Sequence, residues 1–150
     1  MDIVLIEPEI PNNTGNIGRL SLATGCRLHL IKPYGFEING SRVKRAGLDY
    51  WKYVNLKEYE SFGSFLDQNN PSSFAFYSSR AKKNYLELKY QENTFLIFGK
   101  ESVGLPPNLI NDNPYDLYKI PLEGKHVRSL NLANAVSIVV YEGLRQLALK

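Results

Sequence analysis

The sequence predicts an α/β fold: a single domain, residues 1–150, with a mostly parallel sheet and helices on both faces. Two observations lead there. Five short runs, IVLIE (3–7), RLHLIK (27–32), FAFYSS (74–79), TFLIFG (94–99) and LYKIPL (117–122), are nearly continuous in apolar, β-branched or aromatic residues. Strands buried on both faces read this way, and parallel sheets bury both faces. Between and after these runs lie segments whose apolar residues recur at helical spacing.

Taken in order, the first strand leads into NNTGNIGR (12–19), eight small, polar or cationic positions where a turn needs one or two. A helix is expected over about 14–24, with Ile17, Leu20 and Ala23 inward, Asn13 as N-cap and Gly25 just past its end. After the second strand comes SRVKRAGLDYWKYVNLK (41–57), in which Arg42, Lys44, Arg45, Lys52 and Lys57 interleave with Tyr50, Trp51 and Tyr53. EYESFGSFLDQNN (58–70) reads as a helix stopped before Pro71. The third strand is followed by SRAKK (79–83), and the fourth by FGKESVGLP (98–106). The fifth is expected to end at Pro121. The closing segment, 131–150, is the clearest helix: Leu132, Val136, Val139, Val140, Gly143 and Leu147 form one stripe.

Composition narrows the function. Hydrophobic residues make up 43% and charged residues 22% of the chain, as in an ordinary soluble protein. No run approaches a membrane span and the start lacks a signal-peptide pattern, so a membrane partner is not expected. One cysteine, Cys26, cannot staple a fold, which points to a reducing, cytoplasmic setting. Two histidines and one cysteine assemble no zinc cluster, and no metal is expected. Gly-x-Gly-x-x-Gly, the P-loop pattern and Gly-x-Ser-x-Gly are all missing. The net charge of +3 is mild, but cations beside aromatics suit RNA, while a solvated basic face over core aromatics fits the same residues.

Ligands of open α/β folds gather beyond the carboxyl ends of strands, where three loops are chemically unusual. NNTGNIGR enters a helix N-terminus, with Arg19 exposed on that helix. FGKESVGLP offers two glycines for close backbone approach or positive φ, and Glu101 between them. IPLEGKHVRSLNLANA (120–135) sets Arg128, Ser129 and Asn131 beside an apolar slot of Ile120, Leu122 and Leu130. Each is also readable as a capped helix or a plain turn.

Together, IVLIEPEIPNNTGNIGRL, RVKRAGLDY, FGKESVGLP and VRSLNLANAVSIVVYE resemble, in order and over nearly the whole chain, the motifs of the SPOUT superfamily. The match lies with its tRNA 2′-O-ribose methyltransferases, and more closely with the small enzymes that methylate the wobble cytidine or modified uridine of leucine tRNAs. The resemblance implies a deep C-terminal trefoil knot, which ordinary topology rules would not suggest. It implies S-adenosylmethionine as cofactor and S-adenosylhomocysteine as product, with Tyr77, Gly99, Ile120, Leu122, Ser129 and Leu130 around the cofactor. Tyr77 departs from the aliphatic residue the pattern leads one to expect, and the loop before Arg128 departs in length and composition. The resemblance also implies a homodimer whose active site takes the first-motif arginine from one subunit and cofactor from the other. Arg19 would be the principal catalytic residue, ordered by Asn13, with Glu101, Ser129 and Asn131 positioning the reacting groups and Tyr141 nearby. A guanidinium keeps its proton in proteins, so phosphate binding and orientation of the hydroxyl are the easier role. With no added RNA-binding domain, tRNA would be met by Arg42, Lys44, Arg45 and Arg80. Two alternatives stay open: another tRNA or ribosomal RNA site, and a noncatalytic RNA-binding module.

Overall fold

The computed structural model describes residues 1–36 and 49–148. Arg42, Lys44 and Arg45 lie outside the described residues. The described residues contain seven strands, β1 (Asp2–Ile6), β2 (Arg27–Ile31), β3 (Leu56–Tyr59), β4 (Phe74–Tyr77), β5 (Lys83–Asn84), β6 (Phe95–Phe98) and β7 (Leu117–Lys119). They form one sheet in the order β3-β2-β1-β6-β4-β7-β5, and every pairing is parallel. Four α-helices accompany it: α1 (Pro11–Thr24), α2 (Phe62–Asn69), α3 (Pro107–Asp112) and α4 (Leu132–Ala148).

Strand alternation builds two cores, one on each face. Ile3, Leu5, Leu28, Leu30, Leu96 and Phe98 point to Ile17 of α1 and to Val136, Val139 and Val140 of α4. Val4, Ile6, Phe76 and Ile97 point the other way, to Phe65 of α2 and Leu109 of α3. The near-continuous apolar reading of the strands follows directly from this double burial.

Several expectations need correction. Helix α1 starts at Pro11, with Ile10 at the N-cap and no side-chain cap. Proline suits that first turn, where its missing N–H is no loss. Asn13 therefore lies inside the helix, buried, and caps nothing there. The buried positions of α1 are 13, 14, 15, 17, 18 and 21, mostly small or polar, whereas Ala23 is exposed and Leu20 half-buried. Gly25 does end the helix in the left-handed region. Strand β7 stops at Lys119, short of Pro121, which has no N–H for the ladder. The edge strands β3 and β5 and the short helix α3 were not expected.

The first strand is tied to its neighbour by charge. Arg27 grips Asp2 with two hydrogen bonds, of 3.1 and 2.8 Å. The fully buried His29 contacts Asp2 at 3.6 Å and Tyr59 Oη at 2.9 Å.

Candidate active site

The carboxyl ends of β1, β4, β6 and β7 converge around the middle of the sheet, where the chain changes from building outward on one side of β1 to the other. A cavity of about 650 Å³ lies there. That size is typical of a small-molecule site, and a topological switch point is where such sites occur. All six residues expected around a cofactor, Tyr77, Gly99, Ile120, Leu122, Ser129 and Leu130, line this one cavity. Asn13, Arg80, Glu101, Arg128 and Asn131 line it too.

The loop after β6 owes its shape to two glycines. Gly104 has φ +77 and returns its N–H to the Lys100 carbonyl at 2.8 Å. This folds the loop back so tightly that a Cβ at Gly99 would lie 2.1 Å from the Gly104 carbonyl carbon. Backbone cannot move aside as a side-chain tip can, so position 99 accepts only glycine without rebuilding the loop.

Three loops from distant parts of the chain are joined by one relay. Glu101 accepts hydrogen bonds from Glu9 N at 2.7 Å, Ile10 N at 3.2 Å and Asn13 Nδ2 at 3.0 Å. Asn13 Oδ1 in turn accepts from Asn131 Nδ2 at 2.9 Å. Asn131 Oδ1 caps α4, accepting from Ala133 N and Asn134 N. Glu101 thus serves the N-terminus of α1, where free N–H groups and the helix dipole favour a carboxylate. A second clasp runs alongside: Glu9 accepts from both the N–H and the hydroxyl of Ser102, each at 2.9 Å. Those bonds hold the Glu9 carboxyl below its usual value, the backbone bond contributing most. Lys100 Nζ meets Glu7 at 2.9 Å. Sequence reasoning missed Glu7, Glu9, Lys100 and Ser102. Their only signal was an acid pair after the first strand, facing a loop some ninety positions away.

Aromatic packing supports the wall beneath. Tyr77 stacks on Phe98 with centroids 4.8 Å apart and 12° between planes, and its hydroxyl meets that of Tyr90 at 3.2 Å. Burial, followed by the neighbouring Tyr90, pushes the Tyr77 phenol well above its ordinary range. It is therefore a neutral hydrogen-bonding group at physiological pH.

Arg19 and Tyr141 do not line the cavity. Arg19 is exposed on α1, with its guanidinium carbon 5.4 Å from the ring centroid of Tyr50. Tyr141 is 58% exposed on α4, the helix that packs against α1.

A seven-stranded parallel α/β fold with a cavity at its switch point is shared with SpoU methyltransferases of known structure. The chain belongs to the SpoU rRNA methylase family, whose sequence profile matches residues 1–141. It is 43% identical to the tRNA (cytidine(34)-2′-O)-methyltransferase of Yersinia pestis, over 98% of this chain and 94% of that one. A solved structure described as giving insights into the 2-OH methylation of C/U34 on tRNA superposes with a TM-score of 0.91. That protein is 42% identical, with 99% of this chain and 97% of the other covered. The SpoU methyltransferase AviRb from Streptomyces viridochromogenes, in complex with the cofactor AdoMet, shares the fold at 21% identity. Its TM-score is 0.84, covering 99% of this chain and 58% of that one.

Proposed function

We propose that this protein transfers a methyl group from S-adenosylmethionine to the ribose 2′-hydroxyl of the wobble nucleotide, a cytidine or modified uridine, in the anticodon loop of leucine tRNAs. The observation that carries the reading is the convergence of three motif loops, strapped through Glu101, Asn13 and Asn131, on one cavity of cofactor size. The 43% identity to a cytidine(34) enzyme over nearly all of both chains supports this reaction over methylation at another RNA site.

The cavity suits the cofactor chemically. Ile120, Leu122, Leu130, Tyr77 and Phe98 supply apolar and aromatic walls for a flat base, while Ser129, Arg128 and loop backbone supply polar partners for ribose and an amino-acid tail. When bound, S-adenosylmethionine supplies an electrophilic sulfonium methyl group. The residues of this chain then have three tasks: to bind, to align and to ease removal of the hydroxyl proton.

Glu101, Asn13 and Asn131 act by position. Glu101 takes three donors on its two oxygens, Asn13 is engaged at both ends of its amide, and so is Asn131. They fix the distance between the α1 entrance and the cavity wall, which places Ser129 beside the bound cofactor. Arg19 binds the phosphate next to the target ribose and orients the 2′-hydroxyl. The catalytic centre is shared in a homodimer, with Arg19 of one subunit facing the cavity of the other, a reading supported by the position of Arg19 outside its own chain's cavity. Leu22, Ile138 and Tyr141, exposed apolar residues on the packed pair α1 and α4, are available to the subunit contact, and Tyr141 is thereby brought near the reacting ribose. Arg42, Lys44, Arg45 and Arg80 bind tRNA, the chain threads as a C-terminal knot, and the enzyme works in the cytoplasm.

The test is methyl transfer from labelled S-adenosylmethionine to bulk tRNA lacking the modification, followed by nuclease mapping of the label. The expected result is label on the wobble ribose of leucine tRNA, reduced at least about a hundredfold by Arg19→Ala with cofactor affinity retained. Label at another nucleotide would move the substrate, and absence of both label and cofactor binding would sink the enzyme reading.

A further inference from the structure

We infer that Lys52 and Tyr53 form a stacking platform for an unpaired RNA base beside Arg19. The inference rests on the RNA-methylation reading above and adds to it a contact outside the cavity and its loops.

The platform is built from α1 outward. The turn of 3-10 helix at Trp51–Tyr53 sits on that helix, and its seat is Gly18: a Cβ there would come within 2.2 Å of the Trp51 ring. Tyr50, just before the turn, anchors it by donating its hydroxyl to the Gly15 carbonyl at 3.0 Å. Backbone bonds from Tyr53 N to Tyr50 O, 2.9 Å, and from Val54 N to Trp51 O, 3.1 Å, close the turn. Trp51 packs partly into the core, so the turn is rigidly held.

With the turn fixed, its last ring has no part in the core. Tyr53 is 67% exposed and the Lys52 ammonium stands 4.9 Å from its centroid. Arg19 follows Gly18 directly and lies over Tyr50, whose carbonyl accepts from Tyr53 N. Burial raises the Tyr50 phenol, against the opposing pull of Arg19, so it stays neutral. An exposed ring with a cation over it, one turn from a further cation, matches single-stranded nucleic acid: the ring takes a base, the cations take phosphates. A duplex, whose bases are stacked internally, offers such a ring nothing to bind.

Trp51, the chain's single tryptophan, reports directly on this turn. The experiment titrates the full-length protein, without methyl donor, with a short RNA hairpin carrying an unpaired loop, following Trp51 emission. Emission should change saturably with the hairpin and not with a blunt duplex of the same stem. Tyr53→Ala should weaken hairpin binding about tenfold, whereas Tyr53→Phe, which keeps the ring, should bind as the parent does. Lys52→Ala should reduce the slope of log affinity against log salt by about 1. Both alanine variants should bind S-adenosylmethionine normally, which separates RNA contact from damage to the fold. Hairpin affinity unchanged in Tyr53→Ala and Lys52→Ala would overturn the platform. Failure of the parent protein to methylate any tRNA would instead defeat the enzyme reading, independently of Tyr53.

Discussion

Glu101, expected from the resemblance to position the reacting groups, is bonded as a strut between loops. Its oxygens accept from two backbone N–H groups and one amide, all from the α1 entrance. Glu101→Gln keeps the shape but replaces one acceptor oxygen with an NH₂ group, which must then face a donor. Whichever way the amide is turned, at least one bond is lost, so a stability loss of about 1–3 kcal/mol is expected. The loop shift should also slow methyl transfer about ten- to a hundredfold, while the pH–rate profile keeps its shape. A general base at this position would instead remove a limb of that profile. Measuring thermal unfolding and the pH–rate curve on one variant therefore separates the two roles. The polar character of Asn13 was legible in the sequence, but its task was not. Capping is a local pattern, whereas its partners Glu101 and Asn131 lie 88 and 118 positions away.

Among the elements, what could be read in advance was what double burial imposes. β1, β4 and β6 are almost wholly buried, and each was visible as an apolar run. β3 sits at the sheet edge with Lys57 and Glu58 exposed, and β5 has two residues, so neither bears that signature. Helix α3 begins inside a Pro-Pro pair that reads as loop. The β1–β2 pairing has a charged component that makes a pH prediction. Burial raises the Asp2 carboxyl, but His29 and Arg27 together outweigh it and hold the group at about 2, below its ordinary 3.8. A folded value below the unfolded one stabilises the fold above about pH 4, and that contribution disappears as pH falls through about 2. Asp2→Asn should therefore be less stable than the parent at pH 7, by about 1–3 kcal/mol. The two should converge between about pH 4 and pH 2 in urea unfolding. A difference that persisted at pH 2 would show that Asp2 acts through packing rather than charge.

At the scale of the whole molecule, the cavity and the exposed cation stand apart. The six cofactor candidates share one cavity, while Arg19, the proposed phosphate anchor, lies over Tyr50 outside it. A centre divided between two copies of the chain has a distinctive consequence. Leu130→Arg fills the cavity with a bulky cation and should abolish transfer; Arg19→Ala should abolish it by a different route. Mixed as preformed homodimers without exchange, the two variants should stay inactive. Unfolded together and refolded, half of the dimers should be mixed. Each mixed dimer has one site lacking both functions and one site with an intact cavity facing an intact arginine. About a quarter of the parent's activity should then return, with one cofactor bound per mixed dimer. If Arg19 served the cavity of its own chain, every site in the mixture would lack one function or the other, and refolding would restore nothing. The sequence could imply this division only through resemblance, because no pattern within one chain records which of its residues will meet a second copy.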